Sequence, residues 1–576
     1  MSVTVAHSII RALADHGVTQ VWGVVGDALN PLTDAIRTQD GIEWIGVRHE
    51  EAASFAVSAQ AQLTGRIGVC MGTVGPGSIH LLNGLYDAKK SHAPVLVVAG
   101  QVPSEEIGTE YFQEVNNDQL FADVSVWART LTSPTQMPQM LEQAVNAAYE
   151  HQGVAVLTLP GDLGSAALPK DTPAPRFAPV PFYAAAPAAQ VDAAAAALNG
   201  PGKVTMLVGQ GARAARDEVL AVAERLKAPM VVTLKGKSGL ERDNEFEVGQ
   251  AGLLGNPAAA RALDACDTLL MIGTDFPYRE SYPSGKHVIQ IDIRPSHVGR
   301  RTSVEVPVVG DASATLEALL PKLSGRTDRE HLDAAQGHYR DWCASQMELA
   351  DPEYRRSGVV AKVRSVFDNP GSRIRPEVVA HALNEAAPDN AIFTSDTGMS
   401  TVWLARFIKM RGTRELIGSF NLGSMANAMP QALGAQALDR ARPVISLSGD
   451  GGLMMLLGDL RTAVTYKLPV VVVVFNNGRL GMVKLEQEQG GLPEFGTELD
   501  NPDLAAVASA LGLDSRRVED SEAVAPAIDW ALAHGGPVLL DIVTNPDEIS
   551  LPPRLGVSDA WGFAIAKVTE ALESKR

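Results

Sequence analysis

Three short stretches carry residue types that could do chemistry. Gly449-Asp450-Gly451-Gly452 follows the apolar run 444–447, and Asn476-Asn477 follows the apolar run 470–475, so Asn477 stands 27 positions after Asp450. A carboxylate and an amide oxygen at the carboxyl ends of two buried strands can share a hard cation such as Mg2+. Such an ion takes oxygen ligands and keeps places for phosphate oxygens. The glycines let backbone N–H groups approach those oxygens closely. Alone, Gly-Asp-Gly is an ordinary turn; the second strand and its amide make it a candidate cation–phosphate site. The second stretch, Val47-Arg48-His49-Glu50-Glu51, stands at a strand-to-helix junction. It offers Glu50 as an acid, with Glu51 as its neighbouring alternative; alone, Glu50 would be a helix-terminal carboxylate stabilised by the macrodipole. The third, Gly209-Gln210-Gly211 after the run 204–208, has the form of a dinucleotide turn. No acidic residue closes the next strand, where a nicotinamide ribose would need one, so NAD is disfavoured. Asp292 instead closes the run 288–291, where its carboxylate could hold the hydroxyls of an adenosine ribose.

These residues need sheets to position them. Apolar runs at 21–25, 42–47, 67–71, 95–99 and 154–159 alternate with longer amphipathic stretches. That alternation predicts a parallel sheet covered on both faces. It breaks at 166–189, where Pro169, Pro173, Pro175, Pro179, Pro181 and Pro187 crowd together as a stiff linker. A second block, 191–323, offers strands at 204–208, 230–234, 268–272 and 288–291. A charged, mostly helical connector over 324–351 leads to a third block, 369–543, and residues 551–576 end in a helix striped by Trp561, Ile565, Val568 and Leu572. The stripe is short and nearly neutral, which favours core packing over a membrane face. The expectation is an α/β chain of three doubly wound parallel-sheet domains, over 1–175, 190–325 and 350–576.

Composition narrows the function. At about 100–200 residues per domain, 576 residues make three or four domains, and 45% hydrophobic with 20% charged residues is a globular balance. The 67 acidic residues against 49 basic ones give −18, which argues against nucleic acid and against a polybasic membrane patch. Cys70, Cys266 and Cys343 are far apart and odd in number, as reduced thiols of a cytoplasmic protein are. The first 17 residues lack the apolar segment and cleavage site of a secretion signal, and no apolar run is long enough to cross a bilayer.

The Asp450-to-Asn477 spacing resembles the thiamine diphosphate signature, and nearly the whole chain resembles the pyruvate oxidases and quinone-dependent pyruvate dehydrogenases. The resemblance implies pyrimidine-binding, FAD-binding and diphosphate-binding domains in that order. It implies Mg2+ on Asp450, Asn477 and the main-chain carbonyl of Arg479, and Glu50 as the acid beside the pyrimidine ring. Thiamine diphosphate would rest on Gly449, Gly451 and Gly452, with Met425 wedged under it, the Gly423 carbonyl taking its amino group, and Gly26 and the Gly75-Pro76-Gly77 turn lining the pocket. FAD would lie on Gly209, Gly211, Thr233, Lys235, Gly252, Gly273, Thr274, Phe276 and Asp292, and Phe112, Gln113 and Glu486 would meet the substrate.

The implied reaction is oxidative decarboxylation of pyruvate to acetate and CO2 through hydroxyethyl-thiamine diphosphate, electrons passing through FAD to a quinone or other acceptor. Hydrolysis is preferred to phosphorolysis by resemblance only. Each site would lie between subunits of a homodimer at least, with a homotetramer as the family's usual state. The other reading is an acetolactate synthase-type carboligase with a non-redox FAD. Phe276-Pro277-Tyr278 and Glu486 agree with the oxidase, whereas Met482 is what the synthase has. The quinone-linked members dock to membranes through a longer C-terminal helix, and with the chain ending at Arg576 that docking is not expected. A cytoplasmic enzyme is expected, with a soluble acceptor or oxygen taking the electrons; the alternative is a minimal membrane anchor formed by Trp561, Ile565 and Val568.

Overall fold

The computed structural model describes residues 3–178, 184–352 and 373–547. Three six-stranded sheets follow one another along the chain, and every strand pairing within them is parallel. The first is built from β1 (Gln20–Gly23), β2 (Glu43–Gly46), β3 (Gly68–Gly72), β4 (Val95–Gln101), β5 (Ser125–Thr130) and β6 (Val154–Pro160), in the order β2-β1-β3-β4-β6-β5. The second contains β7 (Val204–Val208), β8 (Met230–Val232), β9 (Glu247–Gln250), β10 (Thr268–Ile272), β11 (His287–Asp292) and β12 (Val306–Val309), in the order β12-β11-β10-β7-β8-β9. The third contains β13 (Ile392–Ser395), β14 (Glu415–Gly418), β15 (Val444–Gly449), β16 (Val471–Asn476), β17 (Asp514–Val518) and β18 (Val538–Val543), in the order β14-β13-β15-β16-β18-β17. The expected α/β architecture of three parallel-sheet domains is what the chain adopts. Helices cover both faces, which is why β3, β4, β6, β7 and β10 are apolar and buried throughout.

One expected strand ends early. The run 230–234 stops at Val232, because the Thr233 hydroxyl accepts the N–H of Gly236 at 3.2 Å and caps the helix Leu234–Leu240. The first half of the proline-rich stretch is fastened to the first domain: Leu168 is buried, and the N–H groups of Arg176 and Ala178 donate to Glu142 and Asn146, both at 2.7 Å. The expected connector is the helix Glu330–Leu349. The striped segment with Trp561, Ile565, Val568 and Leu572 lies outside the described residues.

The first and third domains share a core. Helices Glu50–Thr64 and Ala428–Leu438 each lead into the third strand of their sheet, and they pack face to face inside one apolar cluster. Gly434 permits the approach, since a Cβ there would stand 2.2 Å from the Ala56 carbonyl oxygen. Gln60 Nε2 donates to the Gly434 carbonyl at 3.1 Å, and Ser58 Oγ and Gln431 Nε2 both donate to the buried Asp87 carboxylate. Between the central and third domains, burial opposes the charge of Glu241. The Lys237 and Lys409 ammonium groups, 2.8 and 3.0 Å away, overcome it and hold the carboxyl at about 2.

Candidate active site

Parallel sheets expose ligand sites where the strand order reverses. In the third sheet that place lies between β13 and β15, and the Gly449–Gly452 turn opens there at the N-terminus of the short helix Asp450–Met455. Asp450 is 2% exposed, and its Oδ2 accepts the Gly478 N–H at 2.8 Å and Asn501 Nδ2 at 2.7 Å. Burial pushes this carboxyl up to about 6 despite those donors, so the site favours an added positive charge. Asn477 follows β16 and its Oδ1 accepts the Arg479 N–H at 3.0 Å. A Cβ on Gly451 would meet Met425 Cε at 3.3 Å, which puts the expected wedge directly against the turn. The donor set is oxygen-rich, as a hard divalent cation requires.

The same cavity, about 1980 Å3, runs from Gly423, Met425, Gly449–Gly452, Asn477, Arg479 and Glu486 to Gly211, Thr233, Lys235, Gly273, Thr274, Phe276 and Asp292. Two of the residues expected in the central domain, Gly209 and Gly252, do not line it. Gly209 packs on Gly273 and Thr274, where a Cβ would stand 2.5 Å from the Gly273 oxygen, and Gly252 makes room for the Phe276 ring. Both act by close approach of backbone, one step behind the wall. Lys235 is half-buried, but its Nζ is shielded from solvent and has no hydrogen-bond partner among the described residues; burial lowers it to about 8, against the pull of the Asp87 carboxylate. An unpaired buried ammonium calls for an anionic ligand group. The Asp292 Oδ1 accepts the Arg294 N–H at 2.9 Å, and His297 Nδ1 lies 3.7 Å away.

The expected first-domain residues form a separate group. Glu50 is 7% exposed at the start of its helix, whose N-cap His49 accepts the Glu51 N–H through Nδ1 at 3.2 Å. Glu50 Oε2 lies 2.9 Å from His80 Nδ1, and the His49 and His80 rings stack at 4.3 Å. Glu51 instead accepts from Asn83 Nδ2 at 2.7 Å, and that same Asn83 reaches Ser424 Oγ. Gly77 lies on Glu50 and Thr73, Gly26 lies on Thr73, and Gly75 lies on the backbone of Gln113, which has φ 67°. Phe112 stands 78% exposed beside it. None of Glu50, Gly26, Phe112 or Gln113 lines the large cavity of its own chain.

Sequence reading missed His80, Asn501 and Asp396. His80 closes the short helix Pro76–His80 after the glycine-proline turn, a neighbourhood that was legible. Asn501 and Asp396 carry no motif, and each reaches the Asp450 loop only through the fold.

This arrangement, a carboxylate and an amide beside a glycine turn in one cavity that reaches a second sheet, suits a diphosphate cofactor. Comparison with known families agrees. Residues 3–120 match the thiamine pyrophosphate enzyme N-terminal TPP binding domain, 191–319 the central domain and 396–542 the C-terminal TPP binding domain. The chain belongs to the thiamine pyrophosphate enzymes. It is 35% identical to YdaP of Bacillus subtilis (strain 168), over 100% of this chain and 97% of that one. It is 31% identical to a pyruvate oxidase of Lactiplantibacillus plantarum, over 97% and 91% of the two chains, and 31% identical to the acetolactate synthase isozyme 2 large subunit of Escherichia coli (strain K12), over 93% and 95%. Among the described residues no helix is long and apolar enough to cross a membrane.

Proposed function

We propose that the protein oxidises pyruvate: pyruvate, water and an oxidised acceptor become acetate, CO2 and the reduced acceptor. Thiamine diphosphate with Mg2+ supplies the nucleophilic carbon and the electron sink for decarboxylation, and FAD supplies the two-electron relay to a quinone or other acceptor. Asp450, Asn477 and the Arg479 carbonyl hold the cation; Gly449, Gly451, Gly452 and Gly423 leave space for the cofactor, and Met425 supports it. Glu50 holds and returns a proton at the pyrimidine ring. Phe112, Gln113 and Glu486 contact the keto acid. Because Glu50 does not share the cavity of its own chain, the reading requires it from a second copy, and so a homodimer or larger assembly. The domains, in order, bind pyrimidine, FAD and diphosphate.

The observation that supports redox use of both cofactors is the single cavity joining Asp450 and Asn477 to Gly211, Thr274 and Asp292. Phe276 and Tyr278 stand in its wall with 5.5 Å between ring centres, and the buried Tyr282 backs Phe276 at 6.2 Å, so the three form an aromatic shelf. A carboligase is the second reading, favoured by Met482 in the same wall and by the acetolactate synthase relative. An anaerobic visible spectrum of the protein with Mg2+ and thiamine diphosphate separates the two. The flavin bands bleach within turnover time of pyruvate addition if the oxidase reading is right. A yellow protein that consumes pyruvate without bleaching is the carboligase, and a colourless one ends the FAD assignment.

A further inference from the structure

We propose that Asp396 is a positioning residue that sets the gap between the Met425 segment and the Asp450 loop. The inference rests on the reading that those two segments hold thiamine diphosphate and its cation. Asp396 directly follows β13, is 1% exposed and does not line the cavity. Its Oδ1 accepts the Ala428 N–H at 3.0 Å, and the N–H groups of Asn427 and Gly449 also point at the carboxyl. Its main-chain oxygen accepts from the hydroxyls of Ser400 and Thr401, which open the helix Met399–Phe407. The remaining oxygen, Oδ2, has no partner among the described residues and lies 2.3 Å from where a Cβ on Gly452 would be.

One side chain thus touches the ends of β13 and β15, the start of helix Ala428–Leu438, and the glycine turn. Burial raises this carboxyl to about 7, so at neutral pH it is partly a neutral acid that serves as a spacer and acceptor. Asparagine has the same shape and keeps the Oδ1 acceptor. Alanine would orphan the N–H groups aimed at the carboxyl and open a gap behind the metal loop. The role is one of position, so shape and not charge is what the site needs.

The test is a calorimetric titration of thiamine diphosphate into full-length apoprotein at fixed Mg2+, alongside the melting temperature of the apoprotein. Asp396→Ala is expected to weaken cofactor binding by about tenfold or more, and Asp396→Asn to remain within about twofold of the parent. Gly452→Ala, which drives a methyl group into Oδ2, should also weaken binding about tenfold or more. The double variant Asp396→Ala with Gly452→Ala should lose less than the sum of the two, because the clash is gone. A lowered melting temperature with unchanged cofactor affinity would make Asp396 merely structural and overturn the proposal. Additive losses, or an Asp396→Asn variant as weak as Asp396→Ala, would overturn it too. Asp396→Ser replaces the alanine variant in the cycle if that one does not fold. Asp450→Ala separates this proposal from the site reading beneath it. Unchanged affinity there means the site is misassigned, whereas its loss beside an unaffected Asp396→Ala removes only the role of Asp396.

Discussion

The first and third sheets have the same strand order and reverse direction at the same place, between their first and third strands. The loops at the ends of those strands differ. In the third domain β13 is followed by Asp396 and β15 by Gly449-Asp450-Gly451-Gly452, so one buried carboxylate sits in the glycine turn and a second, Asp396, lies behind it against Gly452. In the first, the matching loops carry Gly26 and Thr73, which press on each other with no carboxylate between them. The acid of the first domain, Glu50, opens the helix before β3, and the equivalent stretch before helix Ala428–Leu438 carries the apolar Met425. One scaffold therefore bears the proposed cation loop in one copy and Glu50 beside stacked histidines in the other. The fold supplies the crevice, and the residues at the strand ends decide its chemistry.

If the two copies divide the labour in this way, their variants must fail differently. The largest effect is expected at Glu50: Glu50→Gln should cut turnover by about 10^2–10^4-fold while calorimetry finds cofactor affinity little changed. Near-normal steady-state turnover would mean that Glu50 is not the acid of the reaction. The next effect belongs to the third domain and to pH. The Asp450 carboxyl is raised to about 6 by burial, so protons compete with the cation below that pH. Mg2+ affinity of the apoprotein should be flat from pH 7 upward and fall by about tenfold per unit below about pH 6. A flat titration down to pH 5 would show that Asp450 is not a ligand.

The shared core is tested by Gly434→Ala, which places a methyl group 2.2 Å from the Ala56 oxygen. A loss of about 1–3 kcal/mol in denaturant unfolding is expected, and an unchanged midpoint would mean the two helices are free to separate. The smallest effect is expected at the rim. Arg440 reaches Glu43 across the same two domains at 3.0 Å, with both side chains more than two-fifths exposed. Arg440→Ala should cost less than about 1 kcal/mol, less still at high salt; a larger loss would shift the weight of the interface from its core to its rim.

Much of this was legible in the chain. Strands buried on both faces, such as β4, β6, β7 and β10, announce themselves as apolar runs, and they are the ones the sequence marks out to within a residue or two. The edge strands β5 and β17 were not. Ser125–Thr130 and Asp514–Val518 face solvent along part of their length and carry Arg129, Arg516 and Arg517, so no apolar run marks them. β13 was missed for another reason: four residues, Ile392–Ser395, are too few for a periodicity.

The sequence by itself determined the alternation of strands and helices, the apolar cores and the local motifs, because each is written in residues close together along the chain. Asp450 with its glycines and Glu50 at a helix start are of that kind. Tertiary structure alone decided which distant residues meet. Asn501 reaches Asp450, His80 reaches Glu50 across thirty positions, and Asp396 reaches Ala428 and Gly452. These are contacts of side chains brought together by parallel strand pairing, which sets neighbours by register and not by sequence distance.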